Sequence, residues 1–431
     1  MYDQLGWCVT GATEGGVGIK MGSMVDKKRV PQQQDRMSVS FSPPDISPED
    51  IDAVVDVLRS GWITSGPVGE RFRDALSNYC GSADTVLTNS ATAALETALR
   101  ALGVGPGDEV VVPAYTYTAS ASVVAHTGAT IRMVDVQPGR FVPSPQQWAQ
   151  AITERTKAII PVDLAGYPVD TAELFEVLES HRHLFKPASD LQEALGRAAV
   201  IVDGAHSLGA RRDGKRAGAL GDFTAFSFHA VKNLTTAEGG ALTWRKELPV
   251  GPELTRHVQQ LILHGQTKTA LEKSRGASWE YDIAFPGYKM NMPDITAALG
   301  LSQLGRYEQI LRRRADLIKQ YDTGLNGLPC TPYAHRGQGW TSSGHLYLLR
   351  LNGKDEAARN RFIDQMFERG VATNVHYKPL PMLTAYRQLG FGIAHYPNAY
   401  AQYANEVTLP LHTRLTDAQV QYVVECVREI I

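Results

Sequence analysis

A single lysine, Lys232, interrupts the segment 226–242, FSFHAVKNLTTAEGGAL, between the apolar run Phe226-Ser227-Phe228 and a Glu238-Gly239-Gly240 turn that feeds a second strand-like run. Its neighbours are small or hydroxylated, with no acid beside it. A lysine held on a tight loop and partly desolvated binds its proton less firmly and becomes a nucleophile. The alternative is an ordinary solvated loop lysine. Other groups bear on that choice. Asp203 closes the apolar strand 199–202 and opens Asp203-Gly-Ala-His206-Ser207, at the carboxyl end of a buried strand where open α/β sheets bind ligands. An N-cap aspartate is the other reading. Asn89-Ser-Ala-Thr92 joins a short strand, 85–88, to a helix, 93–102; such a turn offers free backbone N–H groups to an anion, or is simply a cap. Tyr115 and Tyr117 follow the strand 108–113 and could stack on a flat ring or merely pack.

The elements that must hold these residues alternate. A helix begins at Ser47-Pro48-Glu49-Asp50, with a capping serine, a first-turn proline and acids at the positive end of the dipole. A second helix spans 68–80. Strands are expected at 85–88, 108–113, 130–136, 158–161 and 199–202, with crossover helices at 145–152 and 171–179, which implies a mostly parallel sheet covered on both faces. Residues 266–278 read as a polar loop. A long helix, 294–325, carries Ile295, Ala298, Leu299, Leu304, Tyr307 and Leu311 on one face. Beyond Pro329 short strands (345–351, 371–375) alternate with helices (356–369, 416–431). The domain boundary falls near residue 300: a large domain over 37–300 and a small C-terminal domain over 301–431. Residues 1–36, rich in glycine and polar residues, read as a disordered tail or a mis-assigned upstream start, with Met37 as the beginning.

Composition narrows the function. The 431 residues are 43% hydrophobic and 20% charged, and Lys+Arg 43 against Asp+Glu 45 leaves a net charge of −2. That balance points to neither nucleic acid nor an anionic membrane as partner, and no apolar run approaches the roughly 18 residues of a span. Cys8, Cys80, Cys330 and Cys426 are scattered without metal spacing, so no metal is expected and a cytoplasmic location is.

Taken in order, the weak signals make a set: an anion cradle, a ring stacker, a strand-end carboxylate and a loop amine. Those are the parts pyridoxal 5′-phosphate (PLP) requires. The same residues resemble the DegT/StrS-type sugar-nucleotide aminotransferases of PLP fold type I, the aspartate-aminotransferase fold, from about residue 46 to the C-terminus. The resemblance rests on Gly61-Trp-Ile-Thr-Ser-Gly-Pro67, Asn89-Ser-Ala-Thr92, Asp203-Gly-Ala-His206, Phe226-Ser-Phe-His-Ala-Val-Lys-Asn233, Glu238-Gly-Gly240, Tyr288-Lys-Met-Asn291 and His376-Tyr-Lys-Pro379. It implies that Lys232 bonds the cofactor covalently and Asp203 pairs with the pyridine nitrogen, while Ala91, Thr92 and Ser227 hold the phosphate. Tyr117 stands where the family stacks Phe or Trp on the ring, and His206 where many members place Gln near the cofactor's O3′. Asn291 matches an asparagine that reaches the neighbouring subunit's cofactor, which implies a homodimer with shared sites. Trp62, Thr64, His229, His376 and Tyr377 are expected around the sugar and nucleotide, although His229 and His376 could equally be structural. The implied reaction moves an amino group from glutamate to a nucleotide-linked keto sugar, C4 of a UDP-4-keto-6-deoxyhexose, with C3 amination as the alternative. Relatives that dehydrate sugars carry histidine at the lysine position, so Lys232 favours transamination. A PLP-dependent sugar dehydratase, or a regulatory or binding protein with a degenerate site, are the rivals.

Overall fold

The computed structural model describes residues 37–275 and 280–431; the expectations for residues 1–36 and for Cys8 lie outside the described residues. Among the described residues, nine strands precede residue 245: β1 (Asp84–Thr88), β2 (Glu109–Pro113), β3 (Thr130–Val134), β4 (Thr156–Ile159), β5 (Ala199–Asp203), the two-residue strands β6 (Arg211–Arg212) and β7 (Lys215–Arg216), β8 (Phe223–Ser227) and β9 (Gly240–Trp244). Seven of them form one sheet in the order β1-β9-β8-β5-β4-β2-β3. All its pairings are parallel except those of β9, which runs antiparallel to both β8 and β1. This is the α/β architecture of PLP fold type I, with helices on both faces of a mostly parallel sheet.

The strands are apolar throughout because both faces are covered. Along β2, Val110 and Val112 enter the core beneath the helices Ala91–Ala101, Ala119–Thr127 and Pro252–Ile262, while Val111 enters the opposite core with Trp148, Leu174 and Leu178. Ala199 and Ile201 of β5 share the first core, Val200 and Val202 the second. The period-two alternation sends successive side chains to opposite faces, so β5 has no solvent face. Asp203, the next residue along, leaves this double core at the carboxyl edge of the sheet.

Beyond residue 325, β10 (Cys330–Pro332), β13 (Tyr347–Leu351) and β14 (Glu406–Leu409) form a three-stranded antiparallel sheet. The short strands β11 (Arg336–Gly337) and β12 (Trp340–Thr341) join β6 and β7 in a second small sheet. Helices Tyr307–Gly324, Glu356–Glu368 and Asp417–Ile430 pack Leu317, Tyr321, Phe362, Met366, Val423 and Val427 against Tyr347, Leu349 and Val407. Val39 is buried in this same core, its N–H donating to Gly370 O and its carbonyl accepting from Ala372 N.

The structure departs from the sequence reading in several elements. The long helix breaks at Arg306 into Asp294–Gly305 and Tyr307–Gly324, and the Arg306 guanidinium turns to the buried Asp50 carboxylate at 2.7 Å. Residues 371–375 make only isolated bridges, Val39 to Val371 and Asn374 to Thr408, so they do not form a strand. A short helix, Ala270–Arg275, interrupts the expected polar loop. The predicted cap is present: Ser47 Oγ accepts from Asp50 N, and Asp50 Oδ2 accepts from Ser47 N.

Candidate functional site

The loops after β1, β2, β5 and β8 leave the carboxyl edge of the sheet around one cavity of about 380 Å³, lined among others by Ala91, Thr92, Tyr117, Asp203, His206, Ser227, His229, Lys232 and Tyr377. The loop between β8 and β9 carries Lys232. Phe228 pins it at both ends: its N–H donates to Gly239 O at 2.8 Å, and its carbonyl accepts from Thr236 N at 2.8 Å. Leu234 is buried beneath it. The Glu238-Gly-Gly turn serves close approach, since a Cβ on Gly240 would lie 2.3 Å from Ser90 C and 2.5 Å from Ala91 N. Only glycine lets β9 start against the first turn of the helix Ala91–Ala101.

That helix start has the geometry of an anion cradle. Ser90 caps it, its hydroxyl accepting from Ala93 N at 3.1 Å. The N–H groups of Ala91 and Thr92, at the first two helical positions, have no intrahelical acceptor and face the cavity end of the dipole. Ser227, at the end of β8, adds a hydroxyl that accepts from His229 N at 3.4 Å.

Asp203 is buried at the end of β5. One carboxylate oxygen accepts from Ser120 Oγ at 2.6 Å and the other from Ala205 N at 3.2 Å. Ser120 Oγ also lies 2.7 Å from Thr116 Oγ1. Burial pushes the Asp203 carboxyl up, while the Ser120 and Ala205 hydrogen bonds and the Lys232 amine pull it down. The Lys232 amine, withdrawn from bulk water at the cavity wall, falls from 10.5 to about 8; Asp203 acts against that fall. A lysine near 8 exchanges its proton readily near neutral pH. The neighbouring Asp163, pushed up by burial to about 7, accepts from Val169 N and gives its own N–H to Asp203 O.

His206 is oriented by the backbone. Its Nδ1 stands 3.2 Å from Ala165 N; an amide N–H can only donate, so Nδ1 is the unprotonated nitrogen and Nε2 carries the hydrogen. Burial, with the Lys232 charge behind it, keeps the ring well below its ordinary value and neutral. Nε2 therefore donates to Tyr377 Oη at 3.1 Å. The chain engages both ring nitrogens of His206, and the hydrogen left for an acceptor in the cavity belongs to Tyr377. Tyr377 is held by its own N–H, which donates to Tyr115 Oη at 2.9 Å. Tyr117 lies at the cavity lip, 58% exposed, its ring 5.7 Å from that of Tyr377. His229 is exposed, with Nε2 3.7 Å from Glu238 Oε1.

Three residues expected around the sugar, His376, Trp62 and Thr64, do not line this cavity, and Asn291, expected at the neighbouring subunit's cofactor, lies outside it as well. His376 directs Nδ1 to Thr408 Oγ1 at 2.9 Å and its N–H to Glu406 Oε2 at 2.9 Å, and stacks on Phe41; it packs the wall behind Tyr377 and does not line the cavity. The Trp62 indole donates to Ser65 O, and Thr64 O accepts from Asp294 N. Their loop is fastened by the Asp294 carboxylate, which accepts from the N–H groups of Gly66, Val68 and Gly69. Asn291 donates to Ser65 Oγ at 2.6 Å and lines a second cavity of about 410 Å³ with Ser65, Arg73 and Arg256. Ser120, Thr116 and Asp163, which fix Asp203, were not anticipated; no motif marks them.

The chain belongs to the DegT/DnrJ/EryC1/StrS aminotransferase family, whose profile matches residues 44–428. It is 36% identical over 399 residues to the spore coat polysaccharide biosynthesis protein SpsC of Bacillus subtilis, covering 91% of this chain and 96% of that one. Among solved structures, the PMP form of the putative sugar aminotransferase Spr1654 from Streptococcus pneumoniae superposes with a TM-score of 0.88 at 50% identity, covering 91% of this chain and 98% of that one. PseC of Helicobacter pylori, an aminotransferase involved in pseudoaminic acid biosynthesis, superposes with a TM-score of 0.81 at 27% identity, covering 91% and 99%. Pyridoxal phosphate is the cofactor of this family, and the cavity fits it. A helix N-terminus suits a phosphate, a buried carboxylate would suit a protonated ring nitrogen, and a desolvated amine would suit an aldehyde.

Proposed function

We propose that the protein is a sugar aminotransferase that moves an amino group from glutamate to C4 of a UDP-linked 4-keto-6-deoxyhexose, working as a cytoplasmic homodimer with shared sites. The observation that carries the chemistry is the pairing, in one cavity, of an amine lowered to about 8 with a buried carboxylate at the end of β5. Ala91, Thr92 and Ser227 would hold the cofactor's phosphate, Asp203 its ring nitrogen, Tyr117 its ring face and Lys232 its aldehyde. When bound, PLP supplies an electron sink for the carbon that loses or gains a proton. Lys232 Nζ takes that proton and returns it, a role suited to its lowered affinity. Asp203, where the Ser120 and Ala205 hydrogen bonds and the Lys232 amine act against the upward push of burial, would hold the opposing charge. Tyr377 Oη offers its hydrogen to an oxygen in the cavity, and His229 and Glu238 stand at its mouth.

Two observations support the dimer. Asn291 lies outside the Lys232 cavity of its own chain, and its buried Oδ1 has no hydrogen-bond partner among the described residues, as fits an asparagine meant for another subunit's site. Trp62 and Thr64 lie on the loop beside it. Named polysaccharide and sugar enzymes among the relatives support a sugar acceptor. Turnover with glutamate against UDP- and dTDP-linked 3-keto and 4-keto sugars, with the amino position read by NMR, tests the reading. A 4-amino UDP-sugar with equimolar 2-oxoglutarate is the expected result. A 3-amino product refutes the C4 assignment, and a dehydrated sugar refutes transamination.

A further inference from the structure

The residue after the lysine is tied to a part of the chain that no motif marks. Asn233 Nδ2 donates to Ser343 O at 2.9 Å, and Asn233 Oδ1 lies 3.0 Å from His345 Nδ1. A carbonyl can only accept, so Ser343 fixes the amide orientation; Oδ1 then faces His345, whose Nδ1 must carry the hydrogen. Burial, with His206 and Lys232 behind it, keeps His345 well below its ordinary value and neutral, so it donates without placing a further charge beside Lys232.

The same segment grips the other side of the site. Ser343 Oγ donates to His206 O, Ser343 N to Gly166 O at 3.1 Å and His345 N to Ala165 O at 3.2 Å. Ala165 N in turn sets the His206 tautomer. A Cβ on Gly166 would fall 2.1 Å from Ser343 Oγ and 3.0 Å from His206 O, so the approach requires glycine. The His206 and His345 rings lie 4.4 Å apart. Buried Arg314 holds the segment's backbone through Gly344 O at 2.8 Å and His345 O at 2.7 Å.

We propose that Asn233, with Ser343 and His345, is a positioning device that fixes the Lys232 loop against the Asp203–His206 strand end. Asn233 and His345 act through Lys232 and His206 and touch no reacting group themselves. The device matters because a reacting group displaced by about 1 Å can lose on the order of 100-fold in rate. The inference rests on Lys232 being the cofactor lysine, which loss of the visible absorbance in Lys232→Ala establishes separately.

The test compares Asn233→Ala, His345→Phe and His345→Asn as folded proteins, since an asparagine amide can take the place of Nδ1–H and a phenyl ring cannot. Two readouts are followed: the rate at which apoprotein captures added PLP, from the rise in visible absorbance, and the separate kcat and KM of the holoenzyme. Asn233→Ala and His345→Phe are expected to capture PLP about tenfold more slowly and to lose about tenfold or more in kcat, with KM changed less than about threefold. His345→Asn is expected to recover both. Unchanged capture rate and kcat in Asn233→Ala and His345→Phe would overturn the proposal. So would equal losses in His345→Asn and His345→Phe, which would mark a packing role.

Discussion

Replacing Asp203 by asparagine separates charge from shape at the centre of the site. The substitution fits the surroundings as they stand. Asn Oδ1 can keep the Ala205 N–H, and Ser120 can reverse its hydroxyl, accepting from Nδ2 while donating to Thr116 Oγ1 at 2.7 Å. No buried polar atom is orphaned, so the fold keeps its stability to within about 1 kcal/mol, less than the cost of one lost partner. The negative charge at the end of β5 is gone. A hydrogen bond to a charged group contributes about 1.5–3 kcal/mol, and at about 1.36 kcal/mol per decade this is roughly 10- to 150-fold. We expect PLP affinity or kcat, or their product, to fall by that factor, measured by fluorescence titration of apoprotein and by 2-oxoglutarate release. A second effect has a definite sign. Asp203 raises the Lys232 pKa, so in Asp203→Asn apoprotein the amine should titrate below its wild-type value of about 8. An Asp203→Asn protein within threefold of wild type in both affinity and kcat would refute the assignment of the carboxylate to the cofactor.

In wild-type apoprotein, amine-directed labelling of Lys232 should rise with pH and reach half its maximum near 8, the deprotonated amine being the reactive form; a midpoint near 10.5, read by peptide mass spectrometry, would contradict its desolvation. Burial raises the Glu406 carboxyl from 4.5 to about 8, so between those values the folded protein holds a proton the unfolded chain has released. The Glu406 share of stability should therefore fall as pH rises through that window, by at most about 1.4 kcal/mol per unit, read in denaturant melts as a wild-type minus Glu406→Gln difference that shrinks as pH rises. The buried histidines, lowered by burial, act in the opposite sense below their ordinary value in both proteins. Asp222, fully buried at the opposite end of the strands from the site, pairs with Arg197 at 2.7 Å and Arg245 at 3.1 Å. Asp222→Ala should cost about 3–5 kcal/mol in urea unfolding by stranding those cations, while the visible spectrum of the folded holoprotein stays unchanged.

The sheet was legible because its strands are short apolar runs between turns. Val110–Val112 and Ala199–Val202 can only be strands buried on both faces, and a strand that ends on Asp203 announces a site at its carboxyl edge. Lys232, Asp203 and the Asn89–Thr92 turn each carried a weak local signal, Ser227 gained its role only from the family resemblance, and all of these segments line one cavity. What stayed hidden depends on residues far apart in sequence. The helix ending at Gly305 breaks at Arg306, whose guanidinium reaches Asp50 some 256 positions away, and apolar spacing continues across the break without a sign of it. Residues 371–375 have strand-like composition, but they face single partners on either side and no ladder forms. The motif left His376 open between facing a ligand and serving structure; Glu406 and Thr408, which claim it, come from β14 and carry no local sign of that. Ser120, Ser343 and His345 act through tertiary contacts alone.

Borohydride reduction of the PLP-loaded protein, followed by peptide mass mapping, locates the residue that bonds the cofactor. A single pyridoxyl-phosphate adduct on Lys232 is expected, with loss of both adduct and visible absorbance in Lys232→Ala. An adduct on another lysine, or visible absorbance that survives Lys232→Ala, would contradict the assignment of Lys232 to the cofactor.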